Sequence, residues 1–389
     1  MEQLKLLDSR TSGSHSNDTR RLGARLPNRI VRGARRTFLE FFAGSGLVAE
    51  GLKGIFLPVW ANDNCSKKAA VYIANHGHKH FQTCSIAEVG GASLPCAELA
   101  WASFPCQDLS LAGRSGGING ARSGLVWEWL RVIDEMPKRP SILVAENVLG
   151  LVSAAGGDNY RTLHRALIDR GYMVGAMMLD ATRWLPQSRP RVFVVAVARS
   201  VEIPEELIGG EPGWIHPKAV CRVADRLDGW TWWRMPEPPK KESRLLDVIE
   251  WKAHFPDVET EQRNIKLISR RHRKQLDALS GDVVVPGYKR TRDGKQVLEL
   301  RFDDVAGCLR TPDGGSSRQV LVIRKRQRIR SRLLTMREAA RLMGAPERYK
   351  IPGSYNDGYR AMGDAVAVPV ARWLARKLLL PLAIAADGR

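Results

Sequence analysis

The sequence predicts an α/β fold built on a doubly wound, mostly parallel, Rossmann-like sheet, with a smaller second module attached. Three observations carry this. Short apolar runs alternate with helical stretches from Thr37 to about residue 200. The first apolar run passes into its helix through Gly44-Ser45-Gly46, a turn that only glycines make readily. After Arg199 the periodicity breaks into a stretch dense in proline, glycine and tryptophan. With 389 residues, 44% of them hydrophobic, the chain can bury one large core and a lesser one.

Residues 1–36 are polar and basic and too poor in large apolar groups to offset ordering, so a mobile arm is expected there. TFLEFFAG reads as the first strand and LVAEGL as the opening of its helix. FLPVWAND is a second strand ending at Asp63, and KKAAVYIANHG a helix stopped by Gly77. A third, short strand is expected over Gln82–Ile86. Leu99–Phe104 is a buried strand halted by Pro105, which cannot donate to a ladder. Helices follow at Leu125–Met136 and Asp158–Arg170, and strands at Ser141–Val148 and Tyr172–Asp180. QSRPRVFVVAVA is a further strand, from one face of which Gln187, Arg189 and Arg191 would project. The five tryptophans at 214, 230, 232, 233 and 251 are expected to form the core of the second module. Val320–Ile323 is a strand running into the charge block RKRQRIRSR. Thr335-x-x-Glu338 is a capping box opening a helix. A last helix, Val366–Leu380, would pack back on the first domain. The expected division is 1–36, 37–200, 201–325 and 326–389.

A net charge of +20 favours a polyanionic partner, nucleic acid before membrane. No run reaches the roughly 18 apolar residues of a bilayer span, and no apolar leader opens the chain. Six cysteines lie scattered without a CxxC pair, which points to a reducing, cytoplasmic setting. His76, His78 and His80 sit close together, but three histidines in a linker are ordinarily solvated, so no metal is expected.

Gly44-x-Gly46-x-x-Ala49, with Asp63 about twenty residues on, matches the fingerprint of a dinucleotide site, in which the acid takes a ribose hydroxyl pair. S-adenosylmethionine carries the same adenosine end, so the loop alone leaves a nicotinamide oxidoreductase open. Cys106 stands just past a strand end, where ligands collect in open α/β sheets. A lone cysteine there is ordinarily a small buried hydrophobe. Glu146, Arg189 and Arg191, each at another strand terminus, make it part of a constellation of thiol, carboxylate and guanidiniums.

Taken together, Phe42-Ala43-Gly44-Ser45-Gly46, Phe104-Pro105-Cys106-Gln107, Glu146-Asn147-Val148, Gln187-x-Arg189-x-Arg191, LLTMREAARLMGAP and YRAMGDAVAVPVARWLA resemble, in order and spacing, the motifs of the DNA cytosine-5 methyltransferases. The resemblance covers about 37–200 and 300–380. It implies a class I S-adenosylmethionine-dependent methyltransferase fold with residues 201–325 as a target-recognition domain. It further implies methylation of C5 of a cytosine flipped out of double-stranded DNA, through a covalent Cys106 adduct. Glu146 would bond N3 and the exocyclic amine, and Arg189 or Arg191 would favour the thiolate. By the same resemblance the cofactor lies among Phe42, Gly44, Gly46 and Asp63, with Ser85, Ile86, Pro105, Leu125 and Asp364 around it. DNA contacts are implied at Gln107, Ser110 and Arg114 of a closing loop, and at Arg310, Thr311 and Arg318. A monomer is expected, and a partner restriction endonuclease belongs to this type of system.

Two positions depart from the family's pattern: Ser85 where an aspartate often precedes Ile86, and Asp364 where asparagine usually follows Gly363. These departures are the only support for an alternative, a DNA-binding protein of the same fold that has lost turnover.

Overall fold

The computed structural model describes residues 36–105, 124–225, 227–241, 243–311, 318–325 and 328–387. The basic arm up to residue 35, Cys106, Gln107, Ser110 and Arg114 lie outside these residues.

A seven-stranded sheet is built from β1 (Thr37–Phe41), β2 (Leu57–Asp63), β3 (Phe81–Thr83), β4 (Leu99–Ala102), β5 (Ile142–Asn147), β6 (Tyr172–Asp180) and β7 (Pro190–Ala198). Their order is β3-β2-β1-β4-β5-β7-β6. β1 to β5 run parallel, and β7 lies antiparallel to both β5 and β6. The mostly parallel, doubly wound reading therefore holds. Winding reverses between β1 and β4, so the segments leaving their carboxyl ends face one crevice, the usual ligand position of such sheets. Near-continuous apolar strands such as Leu99–Ala102 are what burial on both faces demands.

Helices α1 (Leu47–Leu52) and α2 (Ser66–His76) pack on one side, with α3 (Leu125–Glu135), α4 (Gly150–Ser153) and α5 (Asp158–Asp169) elsewhere along the sheet. Gly77 ends α2 at φ 88, as its position predicts. Several strand limits differ from expectation, those of β3 and β4 among them. The third strand is Phe81–Thr83 and not Gln82–Ile86, because Ser85 caps a 3₁₀ turn that begins at Ile86. β4 ends at Ala102, short of Phe104.

The tryptophans do not make the core of a detached module. β8 (Ile208–Gly209) pairs with β9 (Trp232–Trp233). Trp230 bridges to Val174 of β6, and Gly175 admits the Thr231 carbonyl and the Trp233 ring where a Cβ would stand. Four of the five thus lie on either side of α6 (Lys218–Ala224), in a segment packed near the main sheet's edge, while Trp251 stays half exposed. The second sheet comes later. After α7 (Val258–Lys266) and α8 (Arg270–Ala278), strands β10 (Val283–Arg292), β11 (Lys295–Leu300), β12 (Gln319–Lys325) and β13 (Arg328–Leu333) pair antiparallel in the order β11-β10-β12-β13. The charge block is therefore half strand, and the β12–β13 hairpin straddles position 325. It folds because Arg324 caps the carbonyls of Leu276 and Asp277 at the end of α8, while Arg332 meets Glu338 in the interior.

The Thr335–Glu338 capping box opens α9 (Met336–Leu342) as its spacing predicts. α10 (Tyr355–Asp364) follows, and then α11 (Val368–Leu374), with Pro369 in its first turn, continuing through a π turn into α12 (Leu380–Asp387). α11 lies on α1: Arg372 donates to the Glu50 and Gly51 carbonyls, and Gly51 leaves the room that Ala371 fills. Among the described residues no helix is long and apolar enough to cross a membrane.

Candidate active site

The loop after β1 is held in place from several directions. Phe42, Gly44 and Gly46 all have positive φ, at 55, 56 and 77°. The Asn62 side chain accepts from Phe42 N and donates to the Cys84 carbonyl, tying β1, β2 and the residue after β3 together. Asp63 accepts from Gly44 N at 2.9 Å and from Cys65 N at 2.8 Å. Its carboxylate thus shapes the loop. Ser45 donates to Ala361 O, and Tyr349 donates to the Ser45 carbonyl, so the C-terminal segment closes the back of the loop.

His76 corrects the expectation of a solvated histidine cluster. It is half-buried with Nε2 2.9 Å from the Gly46 carbonyl, and burial pushes its pKa down to about 4. His80 meets the Tyr72 hydroxyl, and only His78 is exposed. The described residues contain no group of histidines, cysteines and acids able to hold a metal. A Cβ on Gly46 would stand 2.7 Å from both the Tyr72 and His76 rings. Gly46→Ala is therefore expected to lose about 1–3 kcal/mol of stability in urea denaturation; an unchanged midpoint would show that the rings can yield.

Glu40 was missed by sequence reasoning. It is 1% exposed in β1, with the Ala49 amide and the Tyr72 hydroxyl its nearest polar neighbours. Burial pushes its carboxyl up to about 8. An acidic residue in an otherwise apolar strand just before the glycine loop is the signal that could have found it.

Asp364, one of the two departures, has an evident counterpart: its carboxylate pairs with Lys68 Nζ of α2 at 2.5 Å. Gly363 is required because the Arg310 backbone runs 3.0 Å from where its Cβ would be. Ser85 Oγ accepts weakly from Ala87 N, at 3.4 Å. Ile86 is buried, Leu125 opens α3, and Pro105 immediately precedes Cys106.

The second cluster gathers at the ends of β4, β5 and β7. Glu146 is 5% exposed in β5, and Arg191 Nε stands 3.1 Å from its Oε1. Burial raises the Glu146 carboxyl above the ordinary range, against the pull of Arg191, Arg189 and the Ser103 hydroxyl. Asn147 Nδ2 donates to the Phe104 carbonyl, which ties the end of β5 to the segment two residues before Cys106.

Gln187, Arg189 and Arg191 do not share one strand face, since β7 begins only at Pro190. Gln187 donates to the Leu342 carbonyl and accepts from Leu309 N. Arg189, 1% exposed, donates to the carbonyls of Leu309, Gly363 and Ala365. It clasps the Cys308–Thr311 segment to the end of α10. The described thiol beside the arginines is Cys308, 3.3 Å from Arg189 Nη1 and 3.9 Å from both terminal nitrogens of Arg191. Although burial opposes it, the two guanidiniums bring its pKa below the usual thiol value. Sequence reading had no reason to single it out, as 117 positions separate it from Arg191.

Arg310 is exposed and Thr311 half-buried next to this cluster. Arg318 donates to Asn356 of α10 at 2.6 Å and lies over the Tyr355 ring.

The comparisons with known proteins agree on one assignment. The family model described as C-5 cytosine-specific DNA methylase matches residues 36–380. The type II methyltransferase M.BsuFI of Bacillus subtilis is 25% identical over 88% of this chain and 72% of its own length. M.DsaV of Dactylococcopsis salina is 29% identical over 88% and 85%. Among solved structures, S. pombe Dnmt2 methyltransferase shares the fold with a TM-score of 0.58 and 18% identity, covering 91% of this chain and all of its own. The glycine loop, the ENV-bearing strand and the Arg189–Arg191 pair all lie inside the matched span, and the chain belongs to the C-5 cytosine-specific DNA methylases.

Proposed function

We propose that the chain transfers a methyl group from S-adenosylmethionine to C5 of a cytosine flipped out of duplex DNA, with Cys106 as nucleophile. The observation that carries this is Glu146, a buried carboxyl held 3.1 Å from Arg191 at the end of β5, beside a strand end tied through Asn147 to the Cys106 segment.

The cofactor site fits an adenosine-bearing sulfonium. Positive-φ glycines bring the main chain close, Asp63 offers a carboxylate for ribose hydroxyls, and Ile86 offers apolar surface for adenine. S-adenosylmethionine, when bound, supplies an electrophilic methyl group. Everything else falls to the chain. Cytosine C5 is a weak nucleophile until a thiolate adds to C6, which gives C5 enamine character; Cys106 makes that bond and leaves again once the C5 proton is lost. Glu146, whose burial lets it hold a proton more readily than a surface acid, bonds N3 and takes up the charge that develops in the ring. Arg191 holds that carboxyl in register. Arg189 is a positioning residue, joining the Cys308–Thr311 segment to the end of α10.

Flipping costs a few kcal/mol, and phosphate contacts from a chain of charge +20 offset part of it. Gln107, Ser110 and Arg114 would close over the DNA, and Arg310, Thr311 and Arg318 would meet it from the recognition side. That side takes in 201–325 together with the rest of the β12–β13 hairpin. A monomer acting in the cytoplasm, with or without a partner endonuclease, suffices for this chemistry.

A duplex carrying 5-fluorocytosine at the target tests the reading, because the C5 proton is replaced by a group that cannot leave. Wild type is expected to form an adduct stable to denaturing electrophoresis when S-adenosylmethionine is present, and Cys106→Ala none. Adduct formation by Cys106→Ala would remove the nucleophile assignment.

A further inference from the structure

A groove of about 530 Å³ lies away from the proposed active site, between the Glu250–Phe255 segment and one face of the β12–β13 hairpin. Its lining alternates along the strands as a pleated face must: Ile323 and Lys325 from β12, Arg328, Arg330 and Arg332 from β13. Trp251 and Phe255 form the opposite wall.

Three features set it apart from an ordinary charged surface. Trp251 is 50% exposed, a large aromatic surface left to water although a groove is at hand. The Lys325 ammonium lies 5.8 Å from its ring centroid, and the Arg330 guanidinium 3.7 Å from that of Phe255. Lys325 and Arg328 stand directly opposite each other in the hairpin register, a like-charge pair that destabilises a ladder. Among the described residues neither has a carboxylate partner. The other cations are engaged, Arg330 with Glu261 and Arg332 with Glu338, and the lining acid Glu250 bonds the Thr335 hydroxyl. The groove thus combines the exposed Trp251 ring with two cations that have no ion-pair partner among the described residues.

We infer that this groove binds single-stranded nucleic acid, with a base against Trp251 and phosphates on Lys325 and Arg328. An unstacked base is what the ring face can use, since in a duplex both faces of a base are covered by neighbours. The opposed cations supply the anion preference that the hairpin's own sequence leaves unmet. The site goes beyond the methyl-transfer reading. None of the residues lining the groove belongs to the Glu146–Arg191 cluster.

The test is the affinity of the full chain for a labelled oligothymidylate, read by fluorescence anisotropy across a salt series, for wild type, Trp251→Ala, Trp251→Phe and the double variant Lys325→Ala/Arg328→Ala. Trp251→Ala is expected to weaken binding about tenfold, with Trp251→Phe retaining most of the affinity. The double variant is expected to flatten the log–log salt slope by about 1.4, two phosphate contacts' worth on a single strand. Thermal melts of each variant matching wild type would show that the fold is kept. Unchanged oligothymidylate affinity in both variants overturns the proposal, as does a loss confined to duplex DNA. None of these readouts depends on methyl transfer, so the groove and the proposed reaction stand or fall separately.

Discussion

Glu146→Gln is expected to lower kcat for methyl transfer by about 10²–10⁴-fold, with a much smaller change in KM for DNA. The side chain is buried at the end of β5 and bound to Arg191. Its role in the proposed reaction is to meet charge that arises only as sulfur adds to the ring, so its loss should appear in the rate and not in ground-state binding. Glutamine keeps the volume and can still offer an N–H toward N3, but it cannot accept or release a proton. Glu146→Ala removes that remaining donor and should fall further.

The pH profile separates this from a packing defect. Burial lifts the Glu146 carboxyl above the ordinary carboxylate range, so the fraction of protonated acid, the form that donates to N3, declines on the alkaline side. The wild-type kcat should carry that limb, and the residual rate of Glu146→Gln should lack it. A variant with the wild-type profile at lower amplitude would mean that Glu146 only supports Arg191, and the assignment would fail.

Much of the fold was legible because the parallel sheet writes itself into the sequence as apolar runs punctuated by Gly, Pro and Asp. The strands bearing Glu146 and Asp63 end where their composition changes. What could not be read depends on residues far apart in sequence. Arg189 looks like a catalytic group in its motif, yet its hydrogen bonds go to the carbonyls of Leu309, Gly363 and Ala365, whose proximity only the folded chain establishes. Cys308 acquires its charged surroundings in the same way. Asp364 looked like a defect until the fold set Lys68 against it. The β12–β13 hairpin was obscured because its strands carry Arg and Lys at positions where periodicity expects apolar residues. His76 was misread for a different reason: a polar residue closing an amphipathic helix reads as solvated unless the element packed over it is known.

Glu40→Gln is expected to flatten the dependence of stability on pH above neutrality. The Glu40 carboxyl is raised from 4.5 to about 8, chiefly by burial. Below the lower value both folded and unfolded chains hold the proton, and no pH dependence arises from this group. As pH rises from there toward 8, the unfolded chain ionises while the folded one does not, so stability falls by about 1.4 kcal/mol per pH unit. His76 and His216 act with the opposite sign, since burial lowers both to about 4; their contribution is lost as pH drops below about 6.5. The histidines are therefore silent from pH 6.5 to 8, and the part of the wild-type slope that Glu40→Gln removes there, about 2 kcal/mol across the interval, belongs to Glu40. Glutamine cannot ionise and nearly matches the shape, so its urea midpoint should stay level over the same interval. Gln at this site still buries a polar amide, and the variant need not be more stable at pH 6.5; the difference in slope is the diagnostic. Equal slopes for the two proteins would mean that Glu40 ionises in the folded chain as it does in the unfolded one, and that the interior at the end of β1 is far more hydrated than its 1% exposure implies.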